Sequence, residues 1–258
     1  AKKAGRTAAE GLVAAIAETD VGAVIEINAE TDFVARNDQF QNYATDVAKM
    51  AISTGDDLED LNSARLDNGT TVAETLTNLV ATIGENMSLR RAAVLKVGSG
   101  VVSTYVHNTV APGLGKIGAL VALESGGEVE KLEALGKQLA MHVAAAAPQW
   151  CSVEDVESSS IDRERAVLAD QARQSGKPEE IIEKMVEGRL RKFFEEVVFE
   201  EQIFVVDGET KIKKVIQNAE NDLGVPIKLK SFERFALGEG IEKEEADFAS
   251  EVAAVVKS

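Results

Sequence analysis

Acidic side chains and one aromatic ring are concentrated in a short segment where the hydrophobic pattern of the chain changes. Glu30, Asp32 and Asp38 lie close together in the sequence, with Phe33 between them. Before this segment, apolar residues alternate with strand period at Val21, Ala23, Ile25, Ile27 and Ala29. After it, apolar residues recur with helix period at Phe40, Tyr43, Ala44, Val47, Ala48 and Ala51. The sequence therefore predicts a strand-to-helix junction, with Asp32 and Phe33 at its turn.

The residue types at this junction allow two kinds of chemistry. The carboxylates are groups that ligate Mg²⁺ or carry out acid–base work, which would make the chain a Mg²⁺-dependent enzyme. Alternatively, Thr31, Asp32, Asn37 or Asp38 caps the helix by accepting a hydrogen bond from its first turn, and Phe33 packs as a staple. The residues alone favour the capping interpretation, because capped strand-to-helix junctions are common.

The rest of the chain lacks the motifs of common enzyme classes. It contains neither the GxxxxGK[ST] phosphate loop nor the GxGxxG dinucleotide fingerprint. Its two histidines, His107 and His142, are far apart in the sequence, and Cys151 is the only cysteine. This composition argues against a zinc site, and no motif places a nucleophile on an elbow. We therefore predict a chain that is not an enzyme, holds no cofactor or metal, and acts on another protein.

Charge and hydropathy narrow the classes of partner. The 258 residues include 28 Lys and Arg against 44 Asp and Glu, which gives a net charge of −16 at pH 7. That balance repels a phosphate backbone, so we expect no direct binding to nucleic acid. No apolar run approaches the length of a membrane span, so we expect no membrane association. A single cysteine allows no internal disulfide, which favours a reducing, cytoplasmic location.

The order of the predicted elements contains an internal repeat. The first half predicts a strand, turn, strand, helix, polar segment, helix and strand, and the second half starts in the same order and finishes much later. This pattern predicts an α+β fold with two similar β-hairpin, helix and strand subdomains. We predict a linker or helix tail at residues 1–9, subdomain 1 at 10–100, and subdomain 2 at 101–149 and 201–238. The polar stretch at residues 53–69 is predicted to be a loop.

Two further helical segments interrupt or follow the repeat. Residues 150–200 predict a helical hairpin inserted into subdomain 2, with a turn at Gly176. The apolar stripe of its second arm is wider than one short partner helix needs, so the hairpin either packs on its own core or offers a surface for association. Residues 239–258 predict a C-terminal helix with Phe248 and Val252 on its apolar face.

The residues of the junction resemble the signature of a known family. The run Glu-Ile-Asn-Ala-Glu-Thr-Asp-Phe-Val-Ala-Arg at residues 26–36 is similar to that of elongation factor Ts proteins, the bacterial nucleotide-exchange factors for elongation factor Tu. The further matching segments are residues 83–86, 90–91, 141–144, 176–178, 184–189 and 238–243. In that family a small helical domain precedes this region. Its signature is absent here, so we expect a chain that lacks that domain.

The resemblance implies a partner and an exchange site. It implies that the chain binds elongation factor Tu, displaces Mg²⁺ and promotes GDP release. It also implies that Thr31, Asp32, Phe33 and Val34 form the contacting element. An exposed Phe33 on a rigid junction would act as a wedge between elements of the partner.

The resemblance implies three further contacts. His107, which on its residue type alone is equally well an ordinary exposed histidine, would contact the β-barrel part of elongation factor Tu. Phe248 and Val252 of the C-terminal helix would reach the GTPase, and the helical hairpin would support a homodimer. The open alternative is a dimeric scaffold protein that binds partners without changing nucleotide kinetics.

His142, beside an apolar helical stripe, is expected to be a packed structural residue.

Overall fold

The chain folds into a mixture of antiparallel sheets and helices. The computed structural model describes residues 6–242. The strands are β1 Glu10–Glu18, β2 Val21–Ala29, β3 Met87–Lys96, β4 Gly100–His107, β5 Leu114–Gly115, β6 Ile117–Glu124 and β7 Lys228–Ala236. The α-helices are α1 Asp38–Thr54, α2 Leu58–Ser63, α3 Val72–Ile83, α4 Val129–Ala146, α5 Ser158–Arg173, α6 Glu179–Val197 and α7 Ile212–Leu223. Short 3₁₀ turns are Asp32–Arg36, Val153–Asp155 and Phe199–Glu201. Between residues 6 and 242, no helix is both long and apolar enough to cross a membrane.

The strands form two sheets of the same plan. The first has the strand order β3-β2-β1-β5 and the second has the order β4-β6-β7. In each, the second strand of a β-hairpin also pairs with a strand that comes later in the chain, after the helices. Helices α1, α2 and α3 cover the first sheet, while α4 and α7 cover the second. This arrangement confirms the predicted α+β fold with two similar units.

The two sheets correspond even in their backbone irregularities. The β2–β3 register shifts after Glu26, and the β6–β7 register shifts after Ala122. Gly11 in β1 and Gly100 in β4 approach the strands just beyond these places, with φ of 120° and 130°. A Cβ at either glycine would collide with a carbonyl oxygen of the neighbouring strand. Only glycine tolerates that combination of positive φ and close backbone approach, so each hairpin uses it at the same point.

The sheets pack face to face and share an apolar interior. The buried side chains between them are Val13, Ala15, Val24, Ala93, Val97, Val102, Leu120, Ala122 and Phe235. Gly22 and Gly118, each the second residue of its strand, allow the close approach. A Cβ at Gly22 would lie 2.7 Å from Cγ1 of Val102, and a Cβ at Gly118 would lie 2.7 Å from Cγ1 of Val13. The molecule is therefore layered as helices, sheet, sheet and helices.

One segment predicted to be a loop contains a helix. Residues 53–69 include α2, which begins at the cap Asp57, whose carboxylate accepts hydrogen bonds from two backbone N–H groups of the first turn. Leu61 is the buried residue of this helix and packs into the core of the first sheet. A six-residue helix with one buried apolar side chain shows no hydrophobic period. That is why the polar sequence predicts a loop there.

The inserted hairpin is formed by α5 and α6, which pack against each other. Leu168, Ala172, Ile182 and Val186 are the buried residues at their contact. Other apolar residues of these helices, such as Ile181, remain nearly half exposed. The predicted C-terminal helix, with Phe248 and Val252, lies outside the described residues.

Candidate functional site

The junction between β2 and α1 carries an aromatic ring directed into solvent. Asp32–Arg36 forms a 3₁₀ turn, in which residues three apart share a side. Phe33 is 77% exposed, and Arg36, three residues on, is exposed as well. Val34 and Ala35 pack into the core of the first sheet. We call residues 31–34 the projecting turn, because the Phe33 ring projects into solvent while the next residue, Val34, packs into the core.

The exit from this turn is fixed by hydrogen bonds around the start of α1. Asn37 caps the helix, since its Oδ1 accepts a hydrogen bond from the backbone N–H of Phe40 at 3.1 Å. The Asn37 N–H donates to the carbonyl of Val34 at 2.9 Å, and Gln41 Nε2 donates to the carbonyl of Ala35 at 2.7 Å. The cap that the residue types favoured therefore exists, and among the four candidates Asn37 supplies it. Phe33 is 77% exposed, so it does not pack as a staple on the helix.

The entry to the turn is fixed by two carboxylates, one on each side: Glu85 at the end of α3 accepts from the turn, and Glu30 before the turn accepts from the chain after α3. Glu85 accepts hydrogen bonds from the backbone N–H of Thr31 at 3.0 Å and from its hydroxyl at 2.6 Å. Glu30 accepts a hydrogen bond from the backbone N–H of Asn86 at 2.6 Å. Gly84 ends α3 in the left-handed region at φ 90° and so directs the chain toward the turn. The turn is thereby joined to the end of α3.

The structure separates the four residues predicted to contact the partner. Asp32 and Phe33 are exposed. Thr31 is half-buried and uses its hydroxyl inside the protein, on Glu85. Val34 is 4% exposed because the turn directs it into the core of the first sheet, and its contact with a partner stays a prediction. Val34 anchors the turn, and Asp32 and Phe33 are the two residues it presents.

The acidic residues of the junction are not grouped around a common point as metal ligands would be. Glu30 is engaged by the Asn86 N–H and lies 3.4 Å from Arg6. Asp32 and Asp38 are exposed, each on its own part of the turn and helix. Across residues 6–242, no group of three or more His, Cys, Asp or Glu side chains is placed to hold a metal ion.

Comparison with known proteins decides the family. The family model described as "Elongation factor TS" matches residues 30–239, which include the projecting turn and the whole second sheet. The chain belongs to the elongation factor Ts family. Elongation factor Ts of Rhodospirillum centenum is 62% identical over 256 residues, covering 99% of this chain and 83% of that protein. The Rhodospirillum rubrum protein is 60% identical over 259 residues (100% and 84%), and the Brucella abortus protein 54% over 256 residues (99% and 84%).

The two histidines of this family member have different surroundings. His107 is exposed at the end of β4, with its Nδ1 3.4 Å from the hydroxyl of Tyr105. His142 is fully buried, with Nε2 2.8 Å from Oε1 of Gln202 and Nδ1 accepting from the Val205 N–H at 3.2 Å. Burial lowers the pKa of His142, and the acceptor role of Nδ1 requires the neutral ring. The prediction that it is a packed structural residue is confirmed.

A buried charged cluster was not predicted from the sequence. Glu26 in β2 is fully buried. Its carboxylate accepts hydrogen bonds from Arg90 at 3.1 Å, Arg91, Asn28 at 2.9 Å and the backbone N–H of Gly238 at 2.8 Å. Burial acts to raise the pKa of Glu26, but the hydrogen bonds from Gly238, Asn28 and Arg91 outweigh it and hold the pKa below 4.5. We call these five residues the Glu26 cluster.

A β-bulge brings both arginines to the same carboxylate. The β2–β3 register pairs Glu26 with Arg91 and skips Arg90, so two residues of β3 face one residue of β2. Arg91 also donates to the carbonyl of Ala236, and Arg90 donates to the carbonyl of Glu239. The cluster therefore joins the first sheet to the chain that leaves β7. The sequence signals were a glutamate within a buried strand and two consecutive arginines, and neither reveals the pairing.

Proposed function

We propose that this chain promotes GDP release from elongation factor Tu by inserting the projecting turn into it. Elongation factor Ts proteins are nucleotide-exchange factors of translation elongation, and family membership gives this chain that role. The observation that supports the site is Phe33, whose ring is 77% exposed on a turn whose next residue is buried. A large apolar ring held in water on a rigid frame gains free energy when a partner covers it.

The exchange mechanism follows from linkage. A P-loop GTPase holds GDP through backbone N–H groups, a lysine and a Mg²⁺ ion that joins phosphate to protein. A protein that binds the nucleotide-free GTPase more tightly must weaken nucleotide binding by the same factor. Phe33 enters an apolar slot of the GTPase, and the Asp32 carboxylate beside it perturbs the groups around the Mg²⁺. Loss of the metal removes the bridge between phosphate and protein.

The projecting turn needs further contacts to hold it in place. Specific interfaces bury on the order of 1,200–2,000 Å² in total, far more than one turn provides. We propose that His107, exposed at the end of β4 in the second sheet, contributes a second contact with elongation factor Tu. We propose that the C-terminal residues Phe248 and Val252 also contact elongation factor Tu. We also propose that the chain forms a homodimer through the exposed apolar residues of α5 and α6, and that it is located in the cytoplasm.

The first test is the rate of GDP release from purified bacterial elongation factor Tu loaded with fluorescent GDP. In an excess of unlabelled GDP, we expect the release rate to rise with the concentration of this chain and to reach a plateau. A buffer-only reaction gives the spontaneous rate. If the chain binds elongation factor Tu in a pull-down yet leaves the release rate unchanged, the scaffold alternative is correct and the exchange mechanism is wrong.

The Mg²⁺ step has its own readout in the same assay. Removal of Mg²⁺ with a chelator speeds spontaneous GDP release, because the metal bridge is already absent. If the chain acts partly by displacing Mg²⁺, its acceleration relative to the spontaneous rate should be smaller without Mg²⁺ than with it. Equal acceleration in both conditions would show that the projecting turn acts on the nucleotide site without the metal.

His107→Ala should weaken binding without changing the exchange step. An exposed side chain at the rim of an interface typically contributes no more than about 1 kcal/mol. We therefore expect the half-saturating concentration to rise by at most about fivefold while the plateau rate is unchanged. Thr109→Ala, another exposed position just after β4, is the matched control and should behave like the wild type. A lower plateau with an unchanged half-saturating concentration would contradict a binding role for His107.

A further inference from the structure

The end of α3 and the projecting turn are connected by a pair of hydrogen bonds that converge on one carboxylate. Both donors of Thr31, its backbone N–H and its hydroxyl, bond to Glu85. Thr31 occupies the N-cap position of the 3₁₀ turn, yet its side chain makes no capping hydrogen bond. Its hydroxyl is therefore committed to Glu85 rather than to the turn that it precedes.

Glu85 is itself held in place by its neighbours. Gly84 adopts φ 90° at the end of α3, and its N–H bonds to the carbonyl of Val80 at 3.0 Å. The next residue, Asn86, donates its N–H to Glu30 and its side-chain amide to the carbonyl of Arg6 at 2.8 Å. Two chain segments that are distant in sequence thus exchange hydrogen bonds in both directions. Charge-assisted bonds to carboxylates are among the stronger hydrogen bonds in proteins.

We infer that Glu85 is a positioning residue for exchange, which sets the direction of Phe33 by fixing the backbone at Thr31. The inference rests on the proposed function of the projecting turn. Thr31 then serves the interior of the protein and is not a partner contact. Because the exit of the turn is already fixed by the Asn37 cap, Glu85 supplies the missing constraint at its entry. A ring that is oriented before binding loses less conformational entropy when it is bound.

A double-mutant cycle in the exchange assay tests this inference. The four proteins are the wild type, Glu85→Ala, Phe33→Ala and the double variant, compared by the slope of the GDP release rate against low factor concentration. We expect Glu85→Ala to reduce the slope about tenfold when Phe33 is present. In the Phe33→Ala background, it should change the slope less than about twofold, since there is no ring left to orient. Equal losses in both backgrounds would overturn the inference.

Three further variants separate the positioning role of Glu85 from a general loosening of α3. Glu74 forms a capping box with Thr71 at the opposite end of this helix, so Glu74→Ala disturbs α3 away from the turn. It should leave the slope close to that of the wild type, and a loss equal to that of Glu85→Ala would contradict positioning. Thr31→Ser retains both hydrogen-bond donors, so it should keep the wild-type slope. Thr31→Val loses the hydroxyl hydrogen bond to Glu85, so its slope should fall several-fold. The Thr31 pair also replaces Glu85→Ala if that variant does not fold.

The failure of the inference and the failure of the proposed function give different results. If the wild-type chain does not accelerate GDP release, the proposed function is wrong. If the wild type accelerates release but Phe33→Ala is equally active, the ring is not the exchange element and the positioning role of Glu85 is wrong with it. If Phe33→Ala is inactive while Glu85→Ala and Thr31→Val are fully active, only the positioning role is wrong.

Discussion

Phe33→Ala should abolish most of the acceleration of GDP release while leaving the protein folded. Aromatic residues at the centre of an interface typically contribute about 2–4 kcal/mol to binding. Loss of that contribution corresponds to about a 30- to 1,000-fold lower slope of release rate against factor concentration. The ring is 77% exposed in the free protein, so the free energy of unfolding should change by less than about 0.5 kcal/mol. Fluorescent-GDP release and urea denaturation of the same preparations measure the two quantities.

The adjacent residue is a matched control with the opposite expectation. Val34 is buried in the same apolar cluster as Phe40 and Tyr43 of α1. Val34→Ala removes buried methyl groups, so it should lower the free energy of unfolding by about 1–3 kcal/mol and reduce exchange far less than Phe33→Ala. If Val34→Ala and Phe33→Ala reduce exchange equally, the turn acts through its general stability and not through the projecting ring.

The periodic parts of the fold were predictable from the sequence. The strand β2 and the helix after it have clear hydrophobic periods, and the structure places them at Val21–Ala29 and Asp38–Thr54. The repeat was visible in the order of the elements because each unit needs its own apolar sheet face and its own covering helices. The short helix α2 was not predictable, because a single buried leucine, Leu61, gives no hydrophobic period.

The contacts that fix the site were not predictable in the same way. The pattern identified the projecting turn, but it did not separate exposed Phe33 from buried Val34, since both are apolar neighbours. Glu85 reaches Thr31 across a long sequence separation, and it depends on the left-handed backbone of Gly84. The Glu26 cluster depends on a bulge that moves one arginine past its expected register. Hydrophobic period describes each element, whereas these contacts arise from how separate elements meet.

The comparison of the two sheets shows that the Glu26 cluster is not part of the repeat. At the corresponding point of the second sheet, Ala122 stands where Glu26 stands in the first, and it pairs with Ser231. The bulge there places Lys230 beside Glu124, at 2.8 Å, near the surface. One copy of the same irregularity thus holds a buried carboxylate, and the other holds an exposed ion pair. Comparing substitutions of Glu26 and Glu124 therefore measures how much burial of a carboxylate at this point contributes to the free energy of unfolding.

Glu26→Ala should destabilise the fold more than Val34→Ala or Glu26→Gln. It would leave two guanidinium groups without the carboxylate that they share, together with the unpaired N–H of Gly238. Breaking a buried ion pair by removing one partner costs about 3–5 kcal/mol. Glu26→Gln retains the shape and one acceptor but not the charge, so its cost should be smaller but still clear. Urea denaturation at pH 7 measures both, and Glu124→Gln in the exposed pair should change the free energy of unfolding little.

The pH dependence of Glu26→Gln distinguishes loss of charge from loss of packing. The pKa of Glu26 is lowered in the folded protein, so the ionised carboxylate stabilises the fold fully at pH values well above 4.5. That contribution is lost as the pH falls below 4.5 and through the lowered pKa, because the folded protein must then take up a proton. The stability difference between the wild type and Glu26→Gln should therefore be greatest near pH 7 and should shrink in acid. A difference that stays constant with pH would show that Glu26 acts through its shape and hydrogen bonds, and that its charge contributes nothing to the junction of the first sheet with Gly238.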